Sequence, residues 1–245
     1  MKIVAHRGAS LEAPENTHAA INLAWDLGAD GCEIDVQLTS DERVVVIHDE
    51  TLTRTAVRAD RVRDVSWEDV RLLNAGSWKG PAFSSERIPL LGDVLEFLPP
   101  GKQLFIEVKC GSEIVDPMKR VLRPHAARRD DIIFLGFNPR VMADVKQAFP
   151  AHKVLLNVEP PETKSAISTT IMDSFAANLL EERMDGISFG YSPMITPRLL
   201  KHVASKGLAT ALWVIDEPLV AADYKSAGLD VLMTNDPRRL CAALQ

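Results

Sequence analysis

Four short stretches of this chain carry side chains able to do chemistry: His6-Arg7-Gly8, Glu33-Ile34-Asp35, His48-Asp49 and Glu107-Val108-Lys109. Residues two apart on a β-strand point to the same side. Read as strands, Glu33 shares a face with Asp35 and Glu107 with Lys109, while the apolar Ile34 and Val108 point the other way. Three carboxylates gathered on one face repel one another and cannot all stay ionised without a cation. A hard divalent ion answers that need, taking oxygen ligands and keeping open positions for water and a phosphate oxygen. Histidine exchanges a proton near neutral pH. His6 and His48, on opposite sides of a phosphodiester, would serve as acid and base: one protonates the leaving alkoxide and the other deprotonates the attacking oxygen. Arg7 can grip phosphate oxygens through its planar fork, and Gly8 lets the backbone turn tightly. Taken singly, each motif has a plainer explanation. Glu-x-Asp occurs on strands by chance, Glu107-Val108-Lys109 reads as an ion-paired strand end, and a histidine at a strand end is commonly a satisfied polar group. Convergence of all four at one end of one sheet is what favours chemistry.

The elements that must position these residues follow from the hydrophobic pattern. Ile3–His6 opens as a strand, followed by a helix with Thr17 as its N-cap, Ile21, Ala24 and Trp25 on one face and Gly28 as the stop. Further strands fall at Cys32–Leu38, Leu104–Val108, Ile132–Leu135, Val154–Val158, Gly186–Phe189, Ala209–Val214 and Val231–Met233. Helical patterns separate them at Leu90–Leu98, Ser112–His125, Arg140–Phe149, Ser165–Leu180, Pro197–Ser205 and Leu219–Ala227, with a terminal turn from Pro237. Eight strands alternating with helices indicate an α/β chain, a (β/α)8 TIM barrel in one domain over residues 1–245. An open doubly wound sheet fits less well, because the glycine-rich first turn is absent. The alternation breaks once, where Val44–Ile47 forms a further strand ending in His48-Asp49. Residues 50–89 then make too long a connection for an ordinary βα loop. They are expected to be an insertion covering the C-terminal mouth of the barrel, where this architecture keeps its active sites, with a short helix over Ser66–Leu73.

Composition narrows the function classes. The 245 residues are 46% apolar and 25% charged, with a net charge of −6. The one arginine group, Arg54, Arg58, Arg61 and Arg63, is interrupted by Asp60 and Asp64, so no nucleic-acid surface is expected. No apolar run is long enough to span a bilayer, and no secretory leader is visible. Cys32, Cys110 and Cys241 show neither pairing nor metal spacing, which fits a reducing, cytoplasmic setting. His18, His125, His152 and His202 fall in helical or loop contexts and are expected to face solvent.

The ordered set of motifs, together with Pro14-Glu15-Asn16-Thr17, Arg54-Thr55, Gly76-Ser77-Trp78 and Arg87-Ile88-Pro89-Leu90, resembles the glycerophosphodiester phosphodiesterases over nearly the whole chain. The resemblance implies a phospholipase-C-like TIM barrel and one divalent cation, Mg2+ or Ca2+, held by Glu33, Asp35 and Glu107. It further implies that His6 and His48 are the general acid and base, and that Arg7 and Lys109 neutralise phosphate charge. Glu15 and Asn16 would lie beside the bound substrate, and Trp213 would form an apolar wall for its alcohol or simply pack. The chain departs from the family pattern at Ala56-Val57-Arg58-Ala59-Asp60, Gly136-Phe137, Trp213-Val214-Ile215-Asp216 and Thr234-Asn235. These departures are expected where the alcohol portion of a substrate rests, and none removes a metal ligand or histidine.

The implied reaction is hydrolysis of a glycerophosphodiester to sn-glycerol 3-phosphate and an alcohol. The attacking group, water or the glycerol 2-hydroxyl, and the assignment of acid and base stay open at this point. A related phospholipase would present a more apolar rim than an insertion carrying Arg54, Arg58, Arg61 and Arg63. A non-catalytic phosphodiester-binding protein is the reading from another class, and release of glycerol 3-phosphate discriminates it.

Overall fold

The computed structural model describes residues 1–160 and 168–244. Among these residues nine strands form one sheet. In chain order the regular elements are β1 (Lys2–His6), α1 (His18–Asp26), β2 (Gly31–Leu38), β3 (Val44–Val46), α2 (Thr53–Ala56), α3 (Trp67–Val70), α4 (Leu91–Glu96), β4 (Gln103–Val108) and α5 (Val115–Leu122). They continue with β5 (Ile132–Gly136), α6 (Pro139–Ala148), β6 (Lys153–Val158), α7 (Thr169–Glu181), β7 (Gly186–Gly190), α8 (Pro197–Ala204), β8 (Ala209–Trp213), α9 (Pro218–Ser226), β9 (Val231–Thr234) and α10 (Pro237–Leu244).

β1 pairs in parallel with β2 on one side and β9 on the other, which closes eight parallel strands into a barrel. β3 hangs outside it, antiparallel to β2 through Val36↔Val46. The side-chain period of two sorts each strand. Ile34, Val36, Ile106 and Val108 face outward into the layer shared with the helices. Val4, Phe105, Ile133, Leu155, Ala211 and Met233 fill the cylinder. Each such large apolar side chain contributes about 1.5–3 kcal/mol by leaving water, so sliding one strand by one position would exchange the two layers at heavy cost. That register sends Glu33 and Asp35 to the side opposite Ile34.

Several boundaries follow local chemistry. Thr17 caps α1 through Ala20 N, and Ser66 with Asp69 forms a capping box on α3. The helix expected over Ser66–Leu73 is therefore real but only one turn long. The helix expected over Ser112–His125 divides into a 3-10 turn, α5 and a second 3-10 stretch kinked at His125. Pro124 has no N–H to donate to the preceding turn, so the α-helical hydrogen-bond ladder stops there. The expected helix over Ser165–Leu180 is seen as α7, capped by Ser168, while residues 165–167 lie outside the described residues.

Residues 50–89 carry their own apolar cluster, in which Leu52, Val62, Val65, Val70 and Ile88 pack with Val45 and Ile47. The four histidines expected to face solvent are instead half-buried. His152 packs on Phe134 and Phe149 at 5.5 Å between ring centres, His18 meets Phe97 edge-on, and His202 bonds Asp173 at 2.8 Å. An imidazole has apolar faces that join such aromatic contacts, and at His152 the packing buries Nδ1 as well.

Candidate active site

The barrel's strand pairing builds the site. His6 lies opposite Glu33 across β1 and β2, and Asp35 lies opposite Glu107 across β2 and β4. Oxygen atoms of Glu33, Asp35 and Glu107 all fall within 4.8 Å of one another. Glu33 and Asp35 are each 1% exposed and Glu107 is 9% exposed, so little water is available to separate their charges. Burial first, and then the neighbouring carboxylates, push the Glu33 carboxyl well above the usual carboxylate range. Glu107 is raised for the same reasons, with Lys109 pulling the other way. Glu33 Oε1 is buried with no hydrogen-bond partner among the described residues. An all-oxygen cluster with an idle oxygen and too little positive charge is a donor set suited to a hard divalent cation.

Cationic and amide groups frame the acids. The left-handed backbone at Arg7, with φ of 57°, turns its N–H onto Glu33 Oε2 at 2.9 Å. The Arg7 guanidinium donates to Glu15 at 2.9 Å, and its Nε sits 3.3 Å from Asp35 Oδ2, an ion pair too poorly aligned to count as a hydrogen bond. Gly8 follows with φ of 81°, and a Cβ there would lie 2.5 Å from the Ala20 backbone, so this tight turn requires glycine. Lys109 Nζ bonds Glu107 Oε1 at 2.6 Å and His48 Nε2 at 3.1 Å. Both ends of the Asn16 amide are committed to Asp35, at 2.8 and 3.1 Å. Burial works to raise Glu15, but Arg54 and Arg7 outweigh it and hold that carboxyl below its ordinary value.

The two histidines have unlike partners. His48 Nδ1 is 2.7 Å from Asp49 Oδ1, and Asp49 is held well below its usual range, chiefly by hydrogen bonds from Arg54. His6 Nδ1 is 2.8 Å from the amide oxygen of Asn235. Burial, then the charge of Arg7, lowers the His6 pKa below that of a free imidazole.

All the residues singled out by sequence except Trp213 join this connected cluster. Trp213 stands across the barrel, donating from Nε1 to Ser188 O at 3.3 Å and meeting Phe137 edge-on at 5.7 Å. A cleft of about 660 Å³ leads outward from Glu107 and Lys109, past Phe137, to Arg61 and Arg63. Three further residues of the network were given no role from sequence. Asn157 donates to Glu107 Oε2 at 3.0 Å; an amide on a barrel strand two positions past an inward leucine was the available signal. Asn235 and Asp216 were expected near the alcohol portion of a substrate. Asn235 contacts His6 and Asp216 contacts Asn235, because the turns after β9 and β8 stand beside the end of β1.

The Glycerophosphoryl diester phosphodiesterase family profile matches residues 6–239. A Glycerophosphodiester phosphodiesterase of Caldanaerobacter subterraneus is 32% identical over 97% of this chain and 95% of its own length. A phosphodiesterase of Oleispira antarctica, solved in complex with the product sn-glycerol-3-phosphate, superposes with a TM-score of 0.87 at 26% identity, over 100% of this chain and 96% of the other. A glycerophosphodiester phosphodiesterase of Agrobacterium tumefaciens gives 0.83 at 26% identity over 99% of both chains. With the match spanning both histidine motifs and all three acids, the chain belongs to the glycerophosphoryl diester phosphodiesterase family.

Proposed function

We propose that the chain hydrolyses a glycerophosphodiester to sn-glycerol 3-phosphate and an alcohol, with one divalent cation, Mg2+ or Ca2+, held by Glu33, Asp35 and Glu107. The observation that carries this reading is the buried triad of carboxylates with a histidine on either side. The cation, when bound, supplies electrostatic polarisation of a phosphoryl oxygen. Arg7 and Lys109 add positive charge where negative charge develops on phosphorus, and fixed charges of this kind contribute strongly to rate. Asn16 and Glu15 act by orienting Asp35 and Arg7. The product seen in the Oleispira protein supports glycerol 3-phosphate as the product here as well.

The partners of the histidines support an assignment of their roles. Asp49 gives His48 the countercharge that an imidazolium needs, and with Lys109 drawn from His48 Nε2 to the substrate phosphate, that nitrogen carries the proton given to the leaving alkoxide. His6 faces a neutral amide and is the base that takes the proton of the attacking hydroxyl or water. Trp213 and Phe137 offer an apolar wall to the alcohol. Residues 50–89 cover the mouth of the barrel, a placement supported by Arg61 and Arg63 in the cleft and by the bond of Lys79 Nζ to Ser10 O at 2.7 Å. Among the described residues no helix is long and apolar enough to cross a membrane, and three free cysteines favour a reducing cytoplasm.

Glycerol 3-phosphate release from several deacylated phospholipids tests the reaction and identifies the alcohol. His6→Ala and His48→Ala are each expected to lower turnover about 10²–10⁴-fold with the fold intact; full activity in either variant removes its assigned role. Chelation is expected to abolish turnover, and Mg2+ or Ca2+ to restore it. Turnover indifferent to chelator would overturn the cation.

A further inference from the structure

His6 takes its surroundings from the far end of the chain. Its Nδ1 lies 2.8 Å from Asn235 Oδ1, and Asn235 is not free to choose which end of its amide it presents. The Asp216 carboxylate, which can only accept, receives the Asn235 backbone N–H at 2.8 Å and the Asn235 Nδ2 at 3.3 Å. It also receives the Thr234 hydroxyl at 2.7 Å, which fixes its orientation. A flipped Asn235 amide would set oxygen against carboxylate. The Ser10 hydroxyl, 3.1 Å from Asn235 Oδ1 and 2.8 Å from the His6 carbonyl, is a further donor within reach of that amide oxygen.

An amide oxygen cannot donate a hydrogen bond. The proton of a neutral His6 therefore sits on Nδ1, and the lone pair sits on Nε2. Nε2 is the nitrogen turned to the acidic cluster, 4.0 Å from Glu33 Oε2. We propose that Asn235 and Asp216 are positioning residues for the phosphodiester reaction, which together hold His6 in the Nδ1–H form and aim the Nε2 lone pair at the attacking hydroxyl or water. This rests on the reading of His6 as the base. In the step itself the attacking oxygen bonds to phosphorus and its proton passes to His6 Nε2. The bond from phosphorus to the alcohol oxygen breaks, and that oxygen takes the proton offered by His48. The Nδ1–H of His6 keeps its bond to Asn235 throughout, so the network need not rearrange as the ring becomes charged.

The network also says what substitution does. In Asp216→Asn the amide of Asn235 is free to flip, present Nδ2 to the imidazole and drive the proton to Nε2, where it blocks the lone pair. Asn235→Asp alone sets two carboxylates against each other across the present 3.3 Å contact. Exchanging both, D216N with N235D, restores a donor facing an acceptor at each contact.

The experiment combines steady-state kinetics on deacylated phospholipids with long-range 1H–15N correlation spectra of the full-length protein, the His6 signals being identified by their loss in His6→Ala. The native spectrum is expected to show the Nδ1–H tautomer. D216N is expected to lose about 10²–10³-fold in kcat with KM changed by less than about 3-fold, and the double exchange to return to within about 10-fold of native kcat. A native Nε2–H tautomer overturns the proposal whether or not any variant folds. So does a D216N enzyme of native kcat, or a folded double exchange no faster than D216N. His6→Ala at full activity removes the base assignment and this proposal with it, whereas an inactive His6→Ala beside a fully active D216N removes only the positioning.

Discussion

Asn157 commits one half of its amide and leaves the other idle. Its Nδ2 holds Glu107 Oε2 at 3.0 Å, while its Oδ1 and the hydroxyl of its strand neighbour Ser188 are buried without partners among the described residues. A buried polar atom left unpaired costs about 1–3 kcal/mol, and the return on that cost is a fixed orientation for Glu107. Asn157→Ala is expected to raise the divalent-ion concentration needed for half-maximal activity about 10–100-fold. Turnover followed against Mg2+ concentration checks this, and an unmoved curve counts against it. At this scale the sequence was legible where partners are neighbours. His48 and its carboxylate Asp49 are adjacent, so the motif displays the contact. His6 and Asn235 are 229 positions apart, and no local spacing can announce a contact that exists only once the barrel closes.

Between elements, the connection of most consequence is the bridge of Arg54 from α2. It bonds both oxygens of Glu15 at 2.8 Å and both oxygens of Asp49 at 2.7 and 2.9 Å, tying the inserted segment to the loop after β1. Glu15 and Asp49 both have carboxyls lowered in the folded protein. Their contribution to stability is therefore present above the unfolded carboxylate values, near pH 4, and is lost as pH falls through the folded ones. Arg54→Gln is expected to destabilise the protein at pH 7 by about 1 kcal/mol, a modest figure because Arg54 is 43% exposed and solvent screens it. Thermal melts of native and variant protein should converge on acidification, and a gap that widens toward pH 2 contradicts the account. The barrel strands themselves were readable to within a residue or two, as continuous apolar runs bounded by turn residues. The short α2 was not. Thr53-Arg54-Thr55-Ala56 has no apolar period, and its single turn, closed by Ala56 N–H on Leu52 O at 3.0 Å, is anchored by the contacts of Arg54.

For the molecule as a whole, the raised carboxyls of Glu33 and Glu107 reverse the usual acid behaviour. A carboxyl whose folded value lies above its unfolded one stabilises below about pH 4.3, and that contribution is lost as pH rises through the folded value. Without divalent ions, the two acids should therefore make the fold less stable as pH rises toward neutrality. A saturating cation at 100 times its dissociation constant should restore about 2.7 kcal/mol. Melting temperature against pH, with and without Mg2+ or Ca2+, checks this; equal curves would show that these acids carry no ion. The barrel architecture was legible from the alternation of elements, whereas the path of residues 50–89 was legible only as a length. β9 also joins two tasks in one strand. It pairs with β1 on one side and β8 on the other and leads straight into Asn235. A substitution that loosens β9 would therefore unseat the amide beside His6 at the same time as it opens the seam of the cylinder.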